Sequence, residues 1–311
     1  MTQAIQNLFW LLIFPGFVFT VCLGLVASWI VRKVSALVQW RVGPPFFQPF
    51  YDVAKLMGKE VLIPEAAQRV VFQVAPVVGL SGALLLSTML WRITIDPTKL
   101  FVGDLIVAIY LMVLPSLALI LGSSASASPH ASLGTSREMK LVMGYELSLV
   151  LALIVVLIKS GGQLSLAAIA EQTPVLSISG LLAFLVALLC VQAKLGFVPF
   201  DIAEAETELG SGVLMEYSGA LLAVWKLVHA MLLVALPLFL VTVFLGGFTG
   251  AFWAGIVKYV IVLVLLILIK NTNPRVRIDQ AMKFFWSYCG VVMAVAIILA
   301  VIGNYYGISW L

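Results

Sequence analysis

Charge and metal-ligating side chains are scarce in this chain. Its 311 residues include only three cysteines and two histidines, and 10% of the residues are charged. Cys22, Cys190 and Cys289 are far apart in sequence and form neither a CxxC pair nor a cluster with a histidine. That spacing argues against an iron–sulfur or nickel site built by this chain, so any redox chemistry is expected to reside in a partner. There is no HExxH and no nucleophile–base pair. Gly210 and Gly212 are not followed by the Lys-Ser or Lys-Thr of a phosphate-cradling loop. No low-complexity linker and no internal repeat divides the chain, so residues 1–311 are expected to form a single membrane domain. The missing repeat also weighs against a freestanding secondary transporter.

Apolar residues make up 63% of the sequence, and the mean hydropathy is +1.15. Runs of about 20 apolar residues are what a bilayer requires. Eight such runs occur, at 7–31, 70–91, 104–122, 141–158, 177–194, 219–245, 251–270 and 287–303. They are continuous and lack two-residue alternation, which predicts helices rather than barrel strands. The expected fold is therefore an all-α integral membrane protein with about eight transmembrane helices.

Basic residues orient it. Loops after odd-numbered spans hold thirteen Lys and Arg, against three (Arg92, Lys99 and Lys159) on the other side. Positive charge favours the cytoplasmic face. This predicts a multi-pass protein of a prokaryotic cell membrane with both termini on the non-cytoplasmic side. The net charge of +4 follows from these loops and requires no nucleic acid.

The cytoplasmic loops are the informative ones. In residues 32–69, Gly43-Pro44-Pro45 breaks the helix, and Pro49–Lys59 reads as a short amphipathic helix at the membrane surface. The loop before Arg137, SSASASPHASLGTSREMK, reads as loose. Between two apolar runs lies FDIAEAETELGSGVLMEYSG, residues 200–219, with Asp201, Glu204, Glu206, Glu208 and Glu216, five of the fourteen acids. Crowded carboxylates raise one another's pKa, so a segment that keeps them beside a membrane is expected to handle protons or cations. The plain alternative is a solvated anionic loop that docks basic partner surfaces. Taken as a helix from Asp201, at about 100° per residue, Asp201, Glu204 and Glu208 fall within about 60° of one another and Glu206 points elsewhere.

Titratable residues within the apolar runs are fewer. Glu146, beside Tyr145, lies about six residues inside its run, where an acid is costly unless it faces a polar cavity or a partner. Its bland reading is a structural hydrogen bond to a neighbouring helix. Lys226 and His229 share a helix face and are candidates for proton passage if buried. His229 also fits a satisfied bundle-core histidine. Lys258 is placed to snorkel towards the outer surface. Arg275, Arg277 and Asp279 form a turn after the seventh run, where membrane anchoring alone would explain the arginines.

Together Arg41-Val-Gly-Pro44, Gly-Tyr145-Glu146, Pro199-Phe-Asp201 through Glu216-Tyr-Ser-Gly219, and Arg275-Val-Arg-Ile-Asp279 resemble the respiratory complex I subunit 1 family. The resemblance covers most of the chain and implies an eight-helix subunit joining a peripheral redox arm to ion-pumping membrane subunits. Quinone-reducing members have an acid and an Asn-Arg pair just before Pro-Phe-Asp, and a proline soon after. Lys194, Gly196, Phe197 and Ala203 stand in those places here, which puts a quinone site in doubt. The form PFDIAEAETEL…EYSG resembles the membrane anchor of group 4 nickel–iron hydrogenases, including formate hydrogenlyase.

The resemblance implies a coupling subunit that is not catalytic by itself, in an oxidoreductase complex translocating protons or sodium. The proton-path or coupling residues would be Glu146, Asp201, Glu204, Glu206, Glu208 and Glu216, with Lys226 and His229 beside them. Arg41, Arg275, Arg277 and Asp279 would meet the redox arm. No cofactor is expected in this chain; iron–sulfur clusters, and nickel–iron if the arm is a hydrogenase, would lie in partner subunits. Partners would be iron–sulfur and hydrogenase-like large subunits, antiporter-like membrane subunits and the lipid bilayer. Alternatives are a sulfur-reducing relative, a quinone-binding subunit of an NADH:quinone oxidoreductase, and a purely structural anchor.

Overall fold

The computed structural model of the protein describes residues 8–95, 103–205, 208, 210–248, 252–308 and 310–311. Every regular element among them is helical. The principal helices are α1 (Phe17–Val38), α2 (Gln48–Met57), α3 (Arg69–Ile95), α4 (Asp104–Ser124), α5 (Pro129–Lys159), α6 (Ile178–Lys194), α7 (Gly219–Phe244) and α8 (Phe252–Thr272). The last, α9, runs over Ile278–Tyr306. Seven helical stretches are long and apolar enough to cross a membrane, the first being Leu8–Val38, and α6 is a shorter apolar helix. At 1.5 Å per residue α6 spans about 25 Å, the lower end of what the hydrocarbon core needs. The eight expected runs are thus eight helices.

The chain forms two compact units. The first comprises Met1–Trp91, Ala108–Met139 and Asp201–Ala235. In it α2, the expected amphipathic helix, docks on α1. Trp29 Nε1 donates to Pro44 O at 3.2 Å, the Trp29 and Phe46 rings meet edge-on at 5.0 Å, and Arg32 pairs with Asp52 at 2.9 Å.

The segment before Arg137 is a correction. Residues 129–140 are helical and extend α5 well before its apolar run. Pro129 suits a first helical turn, where its missing N–H costs nothing. The small polar residues then bond to their own backbone: Ser132 Oγ to Pro129 O at 2.9 Å and Thr135 Oγ1 to Ala131 O at 2.7 Å. Thr135 also reaches Ser123 Oγ at 2.8 Å.

The second unit comprises Arg92–Val107, Lys140–Phe200 and Leu236–Leu311. Here α6 packs on α9 and touches α8. The start of α6 is well satisfied: Ser177 Oγ accepts from Gly180 N–H at 3.1 Å. The Ile178 and Ser179 N–H groups donate to Trp310 O and Leu311 O at 3.0 and 3.2 Å. Within α9 the residues Phe284–Cys289 wind as a π-helical turn, and Ser148 Oγ of α5 donates to Phe285 O there at 3.0 Å. Such turns leave carbonyls unmatched to the α-helical ladder, and Ser148 supplies a donor.

Candidate functional site: a buried acid–lysine pair and two anchored loops

Glu146 lies near the middle of the 31-residue helix α5. Its carboxylate forms an ion pair with Lys194, the last residue of α6. The Lys194 side chain is 1% exposed and that of Glu146 17%. The fully buried Tyr145 ring lies 5.2 Å from Lys194 Nζ. Burying two charges costs several kcal/mol per ion, and apolar residues of equal volume often stabilise a fold as well or better. The pair is therefore poorly explained as a stabilising device. Cys190 and Cys289, distant in sequence, are both buried in this unit.

The chain then turns sharply out of α6. Gln192 Nε2 donates to Val198 O at 2.7 Å, and Phe197 N–H to Gln192 O at 3.1 Å. The following Pro199-Phe200 is pinned from the other side. Val276 N–H donates to Pro199 O at 3.1 Å, the Phe200 ring packs against Phe285 at 4.9 Å, and Lys270 Nζ sits 4.5 Å over Phe197. Two segments of the family-like pattern, Pro199-Phe200 and Arg275–Asp279, are thus in contact. Arg275, Arg277 and Asp279 are exposed at that surface. Gln280 Oε1 accepts from Arg277 N–H at 3.3 Å, and Asp279 sits in the first turn of α9, where the helix dipole favours an acid.

The acidic segment differs from expectation. Asp201–Ala205 is a set of turns rather than a helix, Glu208 is helical, and a short helical turn lies at Gly212–Leu214. Like charges three and four residues apart oppose a helix. Gly212, at a φ of 44°, lies where a Cβ would stand 2.0 Å from Ala203 O. Asp201, Glu204 and Glu208 therefore do not share a helical face. Asp201, Glu204 and Glu216 are half-buried, Glu208 is exposed, and Glu206 lies outside the described residues.

Arg137 anchors this segment, donating to Glu208 Oε2 at 2.8 Å and to Ile202 O at 3.4 Å. Gly134 lets α5 approach: a Cβ there would lie 2.8 Å from Val213 N and 3.1 Å from Ala203 O. Behind Glu216, Tyr217 stacks on Phe72 at 4.2 Å and donates to Phe72 O at 3.2 Å. Burial pushes its phenol up to about 12.

The other candidates fare unequally. Lys226 and His229 do share a face of α7, but both are exposed, so the burial expected to tune them is not supplied by this chain. Lys226 acts electrostatically on Asp52. Arg41 is exposed beyond α1. Lys258 turns back to donate to Leu245 O at 2.7 Å and Gly247 O at 3.2 Å, satisfying carbonyls past the end of α7.

Lys194 and Arg137 are the residues whose role sequence reasoning missed: it took Arg137 only as a positive loop charge, and Lys194 as another and as a departure from the quinone-reducing pattern. A signal for Lys194 existed: it closes an otherwise uncharged helix. None of the described His, Cys, Asp and Glu residues form a group of three able to hold a metal ion.

A family profile described as NADH dehydrogenase matches residues 10–301. A membrane-complex relative, one of the NADH-quinone oxidoreductase subunits of Thermomicrobium roseum, is 36% identical, over 87% of this chain and 89% of that protein. Its counterpart among the NADH-quinone oxidoreductase subunits of Syntrophobacter fumaroxidans is 33% identical, over 83% and 84%. Among solved structures, a chain of the membrane-bound sulfane sulfur reductase, an archaeal respiratory membrane complex, superposes with a TM-score of 0.81 at 26% identity. That match covers 91% of this chain and 96% of the other.

Proposed function

The chain belongs to the NADH dehydrogenase family, the complex I subunit 1 group, and from that premise we propose that it couples redox turnover to ion movement. It is a multi-pass membrane subunit of a complex I-like respiratory assembly. In our reading it anchors a hydrogenase-type peripheral arm and links electron transfer in that arm to proton or sodium translocation by antiporter-like neighbours. The iron–sulfur clusters, and the nickel–iron centre of a hydrogenase arm, belong to those partners. Metal analysis of the isolated chain is expected to find no stoichiometric iron or nickel.

The observation that carries the reading is Glu146, an acid kept inside a membrane helix and paired with a buried lysine. Such intramembrane acids mark ion pathways more often than they hold folds together. By loop charge alone, the arm would meet the loops that hold α2, the 201–216 acids and Arg275, Arg277 and Asp279, taken as cytoplasmic with both termini opposite. Glu204, Glu206, Glu208, Glu216 and Asp201 would carry charge changes from the arm, with Lys226 and His229 beside them.

A second reading, a sulfur-reducing complex, is favoured by the likeness to the sulfane sulfur reductase chain. A third, a quinone-reducing complex, is favoured by the names of the curated relatives. Against the third, the buried Phe197 stands where the resemblance places an arginine in quinone-reducing members.

The test uses the assembled complex in sealed vesicles carrying Glu146→Gln. Ion uptake is expected to be lost, with turnover reduced where the two are tightly coupled. Wild-type ion uptake in that variant sinks the coupling reading.

A further inference from the structure

We propose that Lys194 is a positioning residue of the coupling site, whose ammonium pairs with the Glu146 carboxylate at rest and frees it, when the pair parts, to take one proton from a water or partner group at its uncovered edge. This rests on the coupling reading of Glu146. Four features of one compact unit carry it. First, the pair is asymmetric: the lysine side chain is enclosed while the acid keeps an edge that this chain leaves uncovered, so a water or partner group can approach Glu146 and not Lys194. On protonation Glu146 becomes a neutral acid and Lys194 keeps its charge.

Second, Lys194 ends α6 where the chain turns towards Pro199-Phe200. That turn is held to Val276 and Phe285 on the far side, next to the exposed Arg275 and Arg277. A shift imposed on this surface therefore has a short covalent route to the lysine. Third, the Tyr145 ring, 5.2 Å from Nζ, offers the cation a resting place after separation, since an ammonium is attracted to an aromatic face. Fourth, Tyr145 and Cys190 lie beside the pair, and neither supplies a positive charge. Removing Lys194 thus leaves Glu146 in a poorly solvated site, where a carboxyl group favours its neutral form.

The experiment is difference infrared spectroscopy of the assembled complex near pH 7, paired with ion uptake in vesicles. Lys194→Met is expected to show the C=O band of a protonated carboxylic acid that the resting wild type lacks. Glu146→Gln added to that variant should abolish the band. Lys194→Met should also lose most ion uptake per turnover, and Lys194→Arg, which keeps the charge, should restore it. Absence of the band overturns the proposal, and so does its presence with wild-type ion uptake.

If Lys194→Met does not assemble, the wild-type minus Glu146→Gln spectrum answers instead. A carboxylate band supports the proposal, and a protonated-acid band refutes it. Failure of the coupling reading is separately visible as full ion uptake in Glu146→Gln alone.

Discussion

Gly122 near the end of α4 offers a sharp test of how the segment entering α7 is held. A Cβ at Gly122 would stand 2.1 Å from the Tyr217 hydroxyl and 2.7 Å from Ala75 Cβ. Tyr217 cannot swing aside freely, because its ring stacks on Phe72 at 4.2 Å, nearly parallel. Gly122→Ala should therefore push the hydroxyl off Phe72 O. Overpacking of this kind costs about 1–3 kcal/mol, and orphaning a buried carbonyl about 1–3 kcal/mol more. The better helix propensity of alanine returns about 1 kcal/mol, so the net loss should be about 3 kcal/mol.

Gly290→Ala is the control, since nothing beyond its chain neighbours and its own helix backbone lies within 4 Å of its Cβ position and only the propensity gain applies. Thermal unfolding of the detergent-solubilised complex should place Gly122→Ala well below wild type and Gly290→Ala at or above it. Tyr217→Phe removes the clashing oxygen and should recover part of the loss in the Gly122→Ala background. If Gly122→Ala melts with Gly290→Ala, or if Tyr217→Phe deepens the defect, the packing argument is refuted.

Arg137→Met should leave global stability nearly unchanged, since a half-exposed ion pair is worth about 0.2–1 kcal/mol, yet loosen the acidic segment. Hydrogen exchange at 201–205 should quicken, and unchanged exchange would mean that Arg137 does not anchor it. Asp52 should make docking of α2 acid-sensitive. Burial raises its carboxyl, but hydrogen bonds from Arg32 and Gln48 and the charges of Arg32 and Lys226 outweigh this and hold it below 3.8. A depressed pKa gives stability that is present above about pH 4 and lost as pH falls through the lowered value. Spin labels at Leu37 and Met57 should show a broadened distance distribution below about pH 4; an unchanged distribution there would count against the pair.

The eight membrane helices were legible because each is a continuous apolar run, and no tertiary information is needed to see one. Helix ends were less so. Residues 129–140 look like a loop by composition, but Ser128-Pro129 is a start signal and the hydroxyls satisfy backbone carbonyls one turn back. Asp201 and Glu204 looked helical only because spacing was weighed without the mutual repulsion of the acids and the nearby glycines.

Glu146 announced itself as a break in hydropathy. Its partner did not, because a lysine at a helix end is where membrane anchoring already expects one, and the pairing crosses 48 positions of sequence. Periodicity placed Lys226 and His229 on one face, but the covering of a face depends on neighbours that period alone does not reveal.

The π-helical turn at Phe284–Cys289 bears on how chain length can change in this protein. Each residue of a π turn advances the helix through a smaller angle than in an α-helix, so the turn accommodates the equivalent of an inserted residue. Removing one residue from 284–289 would let α9 close into a regular helix. It would also shift the two sides of the turn against one another, disturbing within it the carbonyl that meets Ser148 and the ring that meets Phe200. A single-residue deletion here would therefore act far beyond its own position.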